Sequence, residues 1–352
     1  MLPAKSHRTV REILTAWYST SDRLAVRLGR PPRPLIACSG GADSSALVLA
    51  LGTLSSRHHR PGVAHIVHDL RSPQECEQDA RATSSLSEAA GLGPCEMRSV
   101  AVRQLAGNQE ANARRCRYDA LATIAVESQF DVVLTGHTKN DQAESVLLAL
   151  LRGASTRGLR GMLPLRQLST GTPLIYLARP MLATTRIESE ELCEACNLSF
   201  CIDATNANID AARTYTRHVL MAALGKLNTQ PMDRLVEFAA LQRQLHRMIG
   251  RQARQVRKRA TISADGSLCW PTVDLAALDT PVLHTVLTQA MVSFSGVMPS
   301  ARRDQLVAFS CAVAHPPSRH ARFRIGGCIA MVTPTLVTFM PISAQRHTGR
   351  AE

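Results

Sequence analysis

The sequence contains no apolar run near the roughly 18 residues that a membrane span requires, so none is predicted. The first eight residues also lack the apolar segment of a secretory signal peptide. The 10 cysteines follow no regular spacing, and 352 residues is far longer than a disulfide-stapled scaffold. These absences predict a protein of the reducing cytoplasm that has no membrane partner.

Acidic residues are also scarce, because 28 Asp and Glu stand against 41 Lys and Arg, which gives a net charge of +13. Such an excess favours a polyanionic partner, and nucleic acid is the main candidate. A basic composition without any such partner is the alternative. Hydrophobic residues make up 45% of the chain, which is enough for a core, and the length suits two domains.

Short apolar runs alternate with helical patterns in the first half of the chain. The runs cover 34–38, 63–67, 96–102 and 131–135, and the helical patterns between them cover 43–55, 74–91 and 108–129. This alternation predicts an α/β fold with a doubly wound parallel sheet. In such a sheet, ligands bind outside the carboxyl ends of the strands.

Three segments are predicted from the composition. Residues 1–32 form a helical extension, and residues 33–224 form the α/β domain. Residues 225–352 form a smaller domain that we expect to be mostly helical, with a strand-like pair at 321–341. The boundary is placed where the composition changes, between Gly225 and Pro231.

The hexapeptide SGGADS (39–44) separates the first predicted strand from a predicted helix. A strand, a glycine turn and a helix together gather backbone N–H groups at a helix N-terminus, which attracts anions. The turn lacks the lysine of a Walker loop and the spacing of a dinucleotide fingerprint. Asp43 fits a Mg²⁺ ligand bridging to phosphate, or a base. The alternative is a plain turn in which Asp43 and Ser44 cap the helix.

The hexapeptide also matches the pyrophosphate-binding loop of the N-type ATP pyrophosphatases, which bind ATP, transfer AMP to a carbonyl oxygen and release pyrophosphate. Five further motifs follow: HIVHDLR (65–71), EANARRCRY (110–118), TGHTKNDQAE (135–144), RPML (179–182) and DATN (203–206), and a sixth, RTYTRH (213–218), ends the series. In this order they resemble the tRNA(Ile)-lysidine synthase family. The resemblance covers about residues 33–224.

The resemblance implies an adenine nucleotide alpha hydrolase-like fold and a ligase that uses ATP and Mg²⁺. It also implies two further substrates, which are free L-lysine and an isoleucine tRNA with a CAU anticodon. The family adenylates the wobble cytidine and then joins lysine to it, giving lysidine. Whether the chain forms a homodimer is left open.

The resemblance also assigns residues. ATP would contact Ser39, Gly40, Gly41, Ala42, Asp43, Ser44, His65 and His68. Catalysis would use Asp43, Arg114, His137, Asp141 and Glu144, with Asp43 as the metal ligand.

Asp141 and Glu144 are spaced i, i+3, so they share one helix face. By resemblance they hold the ammonium groups of lysine; the alternative is that Asp141 caps the helix and Glu144 is a surface acid. Arg114 is expected at the α-phosphate or the activated carbonyl, or else is a solvated arginine. Asn140 stands where the family usually has an aspartate, which removes one negative charge.

Contacts with tRNA are expected from a set of basic residues: Arg179, Arg213, Arg217, Arg243, Arg247, Arg251, Arg254 and Lys258. The last five follow at helical spacing on one face of a long basic helix, so they could track phosphates. A solvated helix face is the alternative.

Two other functions stay open. A tRNA thiolase of the same superfamily would need cysteines, and Cys193, Cys196 and Cys201 lie close in sequence. These cysteines fall in a helical pattern with no second ligand pair nearby, which favours a structural role. An inactive tRNA-binding homologue is the other alternative, which the substitution at Asn140 keeps open.

Overall fold

A computed structural model of the chain describes residues 5–54, 60–70, 72–169, 171–200, 212–295 and 302–342. The chain divides into two compact units, residues 1–241 and 242–352. The division falls inside a long helix, whereas the change of composition lies nearer residue 225. Among the described residues, no helix combines the length and the apolar character that crossing a bilayer requires.

The first unit alternates strands and helices over most of its length. Its strands are β1 (Pro34–Ala37), β2 (Gly62–His68), β3 (Cys95–Val100), β4 (Val132–Thr135), β5 (Leu165–Gln167) and β6 (Tyr176–Ala178). Its helices are α1 (Arg8–Leu28), α2 (Ala42–Gly52), α3 (Pro73–Ala89), α4 (Gln109–Glu127), α5 (Lys139–Leu151), α6 (Thr156–Leu159), α7 (Arg186–Ala195), α8 (Ala212–Tyr215) and α9 (Met221–Leu227). A π-helical turn, Thr216–Leu220, joins α8 to α9, and α10 (Pro231–Lys258) begins in this unit and continues into the next.

The strands of the first unit form one six-stranded sheet in the order β3-β2-β1-β4-β6-β5. All neighbouring pairs are parallel except the edge pair of β5 and β6, which is antiparallel. Ala37 at the end of β1 pairs with Ala64 in β2 and with Thr135 at the end of β4. The predicted parallel α/β sheet is confirmed, and the residues that follow β1 and β4 meet at one edge.

Each central strand sends alternate side chains to opposite faces of the sheet, as its pleat requires. Ile36 and Leu134 join a core with Trp17 of α1 and Leu47 of α2, whereas Leu35 packs on the other face against α4. Apolar residues on both faces explain why the strands read as continuous hydrophobic runs. Helix α1 belongs to this core, with Trp17 only 2% exposed.

The second unit contains an antiparallel sheet, so the expected mostly helical domain is wrong. Its strands are β7 (Thr261–Ile262), β8 (Leu268–Pro271), β9 (Ala321–Ile325), β10 (Cys328–Val332) and β11 (Leu336–Pro341), in the order β7-β8-β11-β10-β9. Its other helices are α11 (Thr272–Ala276), α12 (Thr280–Ser295) and α13 (Arg303–Ala314). The strand-like pair expected at 321–341 corresponds to β9, β10 and β11, whereas β7 and β8 are too short for an alternating pattern to be recognised.

The core of the second unit is built around aromatic side chains. The ring centroid of Phe339 lies 5.3 Å from that of Trp270 and 5.6 Å from that of Phe309. These separations are in the range of favourable aromatic pairs. A few aromatic residues are therefore enough to build this core, because they are concentrated between the sheet and its helices.

Candidate active site

A cleft of about 530 Å³ opens at the carboxyl edge of the parallel sheet. Residues from the ends of β1, β2 and β4 line it, together with residues of α2, α4 and α7. Most of the predicted nucleotide-binding residues line this cleft: Ser39, Gly41, Ala42, Asp43, Ser44, His65 and His68. The catalytic candidates His137 and Asp141 line it too.

The turn between β1 and α2 is built from its own hydrogen bonds. Gly40 adopts φ +83°, a conformation that favours glycine. The Ser44 Oγ accepts a hydrogen bond from the Ser39 N–H at 3.1 Å and donates to the Gly41 carbonyl oxygen at 3.0 Å. Gly41 is the N-cap and supplies no side-chain cap, so the first N–H groups of α2 are left for an anion.

Gly136, which follows β4, lies directly against this turn. A Cβ atom there would stand 2.9 Å from the backbone carbon and oxygen of Asp43 and 3.0 Å from the Ser44 nitrogen. Glycine is required because two backbones approach each other closely. The glycine of the Thr-Gly-His motif thus brings α5 up to the phosphate-binding turn.

Only one of the two carboxylate oxygens of Asp43 has a charged partner. Its Oδ1 is buried and has no hydrogen-bond partner, and its Oδ2 lies 3.5 Å from the Arg186 Nε. Burial raises the pKa of Asp43 to about 6, partly offset by Arg186. A buried oxygen without a partner, next to a phosphate-binding turn, fits a Mg²⁺ ligand.

Asp141 caps α5 with one carboxylate oxygen, and its other oxygen faces an arginine. Its Oδ2 accepts hydrogen bonds from the Thr138 N–H at 2.9 Å and the Thr138 Oγ1 at 3.0 Å, and so caps α5. Its Oδ1 lies 3.5 Å from the Arg213 Nη2. Burial would raise the pKa of Asp141, but the Thr138 N–H and Arg213 outweigh it and lower that pKa.

Glu144 is not a surface acid, because it is only 2% exposed. Its Oε1 lies 2.7 Å from the Arg217 Nε and its Oε2 lies 3.2 Å from the Arg213 Nε. Arg217 lines the cleft, so Glu144 acts on the cleft through the arginines that it holds. Arg213 and Arg217, which the sequence assigned to tRNA, are thus placed beside the predicted lysine-binding acids.

The cleft histidines make defined contacts. His137 Nδ1 is 2.8 Å from the Thr135 Oγ1. Burial, aided by the charge of Arg179, lowers the pKa of His137 to about 3, so its ring is neutral at physiological pH. His65 places Nδ1 2.9 Å from the Cys38 carbonyl oxygen, which fixes its ring at the end of β1.

Arg179 lies away from the position that its predicted role suggested, whereas Arg114 lies beside a residue of the cleft. Arg179 is only 4% exposed, donates to the Leu163 carbonyl oxygen at 2.7 Å, and burial lowers its pKa. This is an interior placement, not the exposed surface expected of a phosphate contact. Arg114 is exposed on α4, and its guanidinium carbon lies 5.2 Å from the ring centroid of Tyr118, which lines the cleft.

Sequence reasoning missed two cleft arginines, Arg117 and Arg186. Arg117 belongs to the EANARRCRY motif, so that motif could have identified it. Arg186 belongs to no motif recognised in the sequence, and its approach to Asp43 depends on the packing of α7 against α2.

The predicted basic stripe lies on α10 within the second unit. Arg247, Arg251, Arg254 and Lys258 are exposed, whereas Arg243 is half-buried. In the part of the chain that the structure describes, none of the four exposed cations forms an ion pair with a carboxylate.

The cysteines that could suggest a metal or sulfur site pack as structural residues where they are described. Cys193 is buried, its Sγ lies 3.5 Å from the Ala42 carbonyl oxygen, and burial raises its pKa to about 12. Such a thiol is not a reactive thiolate. Cys201, the DATN motif (203–206) and Arg71 lie outside the described residues. Within those residues, no three His, Cys, Asp or Glu side chains group around a metal position.

Sequence comparison with known proteins agrees with this geometry. A family model described as PP-loop domain matches residues 18–224. A tRNA(Ile)-lysidine synthase from Salinispora tropica is 39% identical over 218 residues, which is 61% of this chain and 64% of that protein. Another from Nostoc sp. is 31% identical over 261 residues, covering 74% and 70%. The U34-tRNA thiolase NcsA from Methanococcus maripaludis is 16% identical, with a TM-score of 0.48 over 66% of this chain and 80% of that one.

The parallel sheet, the glycine turn and the family match define a PP-loop domain in the first unit. Within that class, the chain belongs to the tRNA(Ile)-lysidine synthase family. It spans somewhat less than two thirds of the length of the Salinispora tropica relative, at 64%.

Proposed function

We propose that the protein joins free L-lysine to the wobble cytidine of an isoleucine tRNA with a CAU anticodon. ATP first adenylates the 2-carbonyl oxygen of the cytidine and releases pyrophosphate. The ε-amine of lysine then attacks C2, and the former carbonyl oxygen leaves with AMP. The observation that carries the proposal is that the glycine turn and the carboxylate of Asp141 line the same cleft.

The first step requires charge to be stabilised on the α-phosphate and on the departing pyrophosphate. The free N–H groups at the start of α2, with the hydroxyl of Ser39, are suited to bind the pyrophosphate. Asp43 would hold Mg²⁺ through Oδ1, which has no hydrogen-bond partner, and the ion would offset charge on the phosphates. Neutral His137 can donate a hydrogen bond without adding charge, and Arg114 and Arg117 lie on the α4 side.

The second step requires an amine that is held close and has lost a proton. Asp141 Oδ1 faces the cleft arginines, whereas its other oxygen caps α5. It can bind an ammonium group of lysine and accept a proton as the attack proceeds. Glu144 supports this site by fixing Arg213 and Arg217.

The tRNA would be attracted by the second unit and read in the cleft. The exposed stripe from Arg247 to Lys258 suits phosphates, which position a nucleic acid without reading its sequence. The target cytidine would be unstacked from the anticodon loop and read in the pocket. We assign residues 33–224 to catalysis and residues 225–352 to tRNA contact. The cytoplasm is the proposed location of the protein.

The test is to incubate bulk tRNA with the protein, ATP and each of the 20 amino acids, followed by nucleoside mass spectrometry. We expect a lysine adduct of cytidine that needs ATP and is lost when the wobble cytidine of the purified isoleucine tRNA is replaced by uridine. A sulfur-containing nucleoside would indicate a thiolase instead. Absence of any product, with tRNA binding intact, would indicate an inactive homologue.

A further inference from the structure

Arg186 lies between the two halves of the cleft. Its Nε is 3.5 Å from the Asp43 Oδ2, on the phosphate side, and its Nη2 is 3.9 Å from the Asp141 Oδ1, on the amine side. Its position means that one guanidinium serves both the acid next to ATP and the acid proposed to bind lysine.

The backbone of Arg186 is fastened, but its side chain is not. The N–H of Arg186 donates to the Asn140 Oδ1 at 3.0 Å, and the Lys139 N–H donates to the Thr184 carbonyl oxygen at 2.8 Å. These bonds tie the start of α7 to the start of α5. By contrast, the separations of 3.5 and 3.9 Å to the two carboxylates exceed those of well-formed hydrogen bonds. The guanidinium can therefore turn towards a better partner.

A triphosphate is such a partner. Asp43 is the second residue of α2, so the guanidinium lies beside the helix N-terminus where phosphates would bind. Arginine binds phosphate through two parallel hydrogen bonds, which are stronger than the present loose contacts. While Arg186 stays where it is, it partly neutralises Asp141 and competes with an incoming ammonium group.

We propose that Arg186 is a positioning residue that couples the two halves of the cleft. Binding of the triphosphate draws its guanidinium away from Asp141, so nucleotide strengthens the binding of the amine. The inference rests on the proposed function, because it takes lysine as the amine. It adds an order to the reaction: lysine is held firmly only after ATP has entered.

The experiment is equilibrium dialysis of radiolabelled L-lysine against the full chain, with and without Mg²⁺ and the ATP analogue AMPCPP. In the wild type we expect AMPCPP to tighten lysine binding by about 5-fold to 150-fold, the usual range for coupled sites. In Arg186→Gln, lysine should bind more tightly than in the wild type without nucleotide, and the gain from AMPCPP should fall below about 5-fold. The exposed control Arg157→Gln should behave as the wild type does.

Reciprocity supplies an internal check, since lysine must tighten AMPCPP binding by the same factor in the wild type. Arg186→Lys keeps the charge but loses the planar fork, so it should show an intermediate gain. Should Arg186→Gln fail to fold by circular dichroism, Arg186→Lys decides the role of the residue.

The inference is wrong if AMPCPP leaves wild-type lysine binding unchanged, or if the gain is the same in the Arg186 variants. Formation of the lysine adduct on tRNA by the wild type is measured separately by mass spectrometry. An adduct without nucleotide coupling overturns only the inference, whereas lack of an adduct overturns the proposed function.

Discussion

The two compact units use positive charge in opposite ways. Residues 1–241 contain 27 Lys and Arg and 23 Asp and Glu, whereas residues 242–352 contain 14 and 5. The second unit therefore carries +9 of the net +13 in less than a third of the chain. The excess of positive charge that suggested a nucleic-acid partner therefore lies mainly in the second unit, whereas the cleft lies in the first.

The placement of the arginines differs as well. In the first unit, Arg186, Arg213 and Arg217 each lie within 4 Å of a carboxylate in or next to the cleft. In the second unit, the exposed stripe on α10 has no such neighbours among the described residues. Paired charges act over short distances and depend on geometry, whereas unpaired surface charges act together on a polyanion and are screened by salt. Substitutions in the two units should therefore fail in different ways.

The largest effect is expected at Asp43. Asp43→Asn removes the negative charge of the carboxylate that is proposed to hold Mg²⁺. The tRNA-dependent exchange of pyrophosphate into ATP should therefore fall by about 100-fold to 1000-fold. Asp22→Asn, on the exposed surface of α1, is the matched control and should keep wild-type exchange. Wild-type exchange in Asp43→Asn would show that the acid has no part in the first step.

The same variant should leave the fold intact. Because burial raises the pKa of Asp43 from 3.8 to about 6, the folded state disfavours its ionised form. The stabilisation by the protonated form is therefore gained as the pH falls through about 6 and is absent above it. The measurement is the free energy of unfolding in urea at pH 5 and pH 8. The difference between the wild type and Asp43→Asn should shift in favour of the wild type at pH 5.

Glu144 should have a large effect on stability as well as on activity. Glu144→Ala removes the buried carboxylate that pairs with both Arg213 and Arg217, which should cost about 3 kcal/mol in the free energy of unfolding. The lysine concentration needed for half-maximal rate should rise sharply. Urea denaturation and lysine titration measure the two effects. Glu237→Ala, an exposed acid with an Arg234 partner, should cost below about 1 kcal/mol.

Gly136 should show an intermediate effect. Gly136→Ala forces a Cβ against the backbone of Asp43 and Ser44, so the turn must shift. We expect about 1 to 3 kcal/mol of destabilisation, with weaker binding of AMPCPP measured by calorimetry. Gly225→Ala lies in α9 with nothing within 4 Å of the added atom and should be neutral or mildly stabilising. Equal behaviour of the two variants would show that the close approach is unimportant.

The smallest effect per residue is expected on α10. Replacing Arg247, Arg251, Arg254 and Lys258 with Gln should weaken tRNA binding and reduce its salt dependence, by about 0.7 to 0.9 in log–log slope per lost phosphate contact. Filter binding across a range of salt concentrations measures this. A matched set in the first unit, Arg11, Arg60, Arg152 and Arg157, should change the slope less. An equal change in both sets would remove the contrast between the units.

The parallel sheet and the phosphate-binding turn could be predicted because their signals are local. The runs at 34–38 and 131–135 and the glycine turn between strand and helix all act over a few residues. The antiparallel sheet was predicted only in part, at 321–341, because β7 has two residues and β8 has four, and their pairing depends on contacts distant in sequence. Strand alternation needs a longer window than these segments offer.

The site was predicted unevenly for a related reason. Residue types and spacings indicated Asp43 and Asp141, because chemistry and motif coincide there. They could not indicate that Glu144 is buried behind two arginines, or that Arg186 reaches two carboxylates. Those facts arise where α5, α7 and the π-helical turn pack together, and no short pattern in the sequence reports such packing.

The two oxygens of Asp141 have separate duties, one to the start of α5 and one to the cleft. Asp141 therefore cannot be replaced to change recognition alone, because any replacement also removes the cap of α5. To redesign the proposed lysine site for a different amine, it would be better to change the arginines around that carboxylate. The helix itself would then keep the acid pointing in a fixed direction while its surroundings were redesigned.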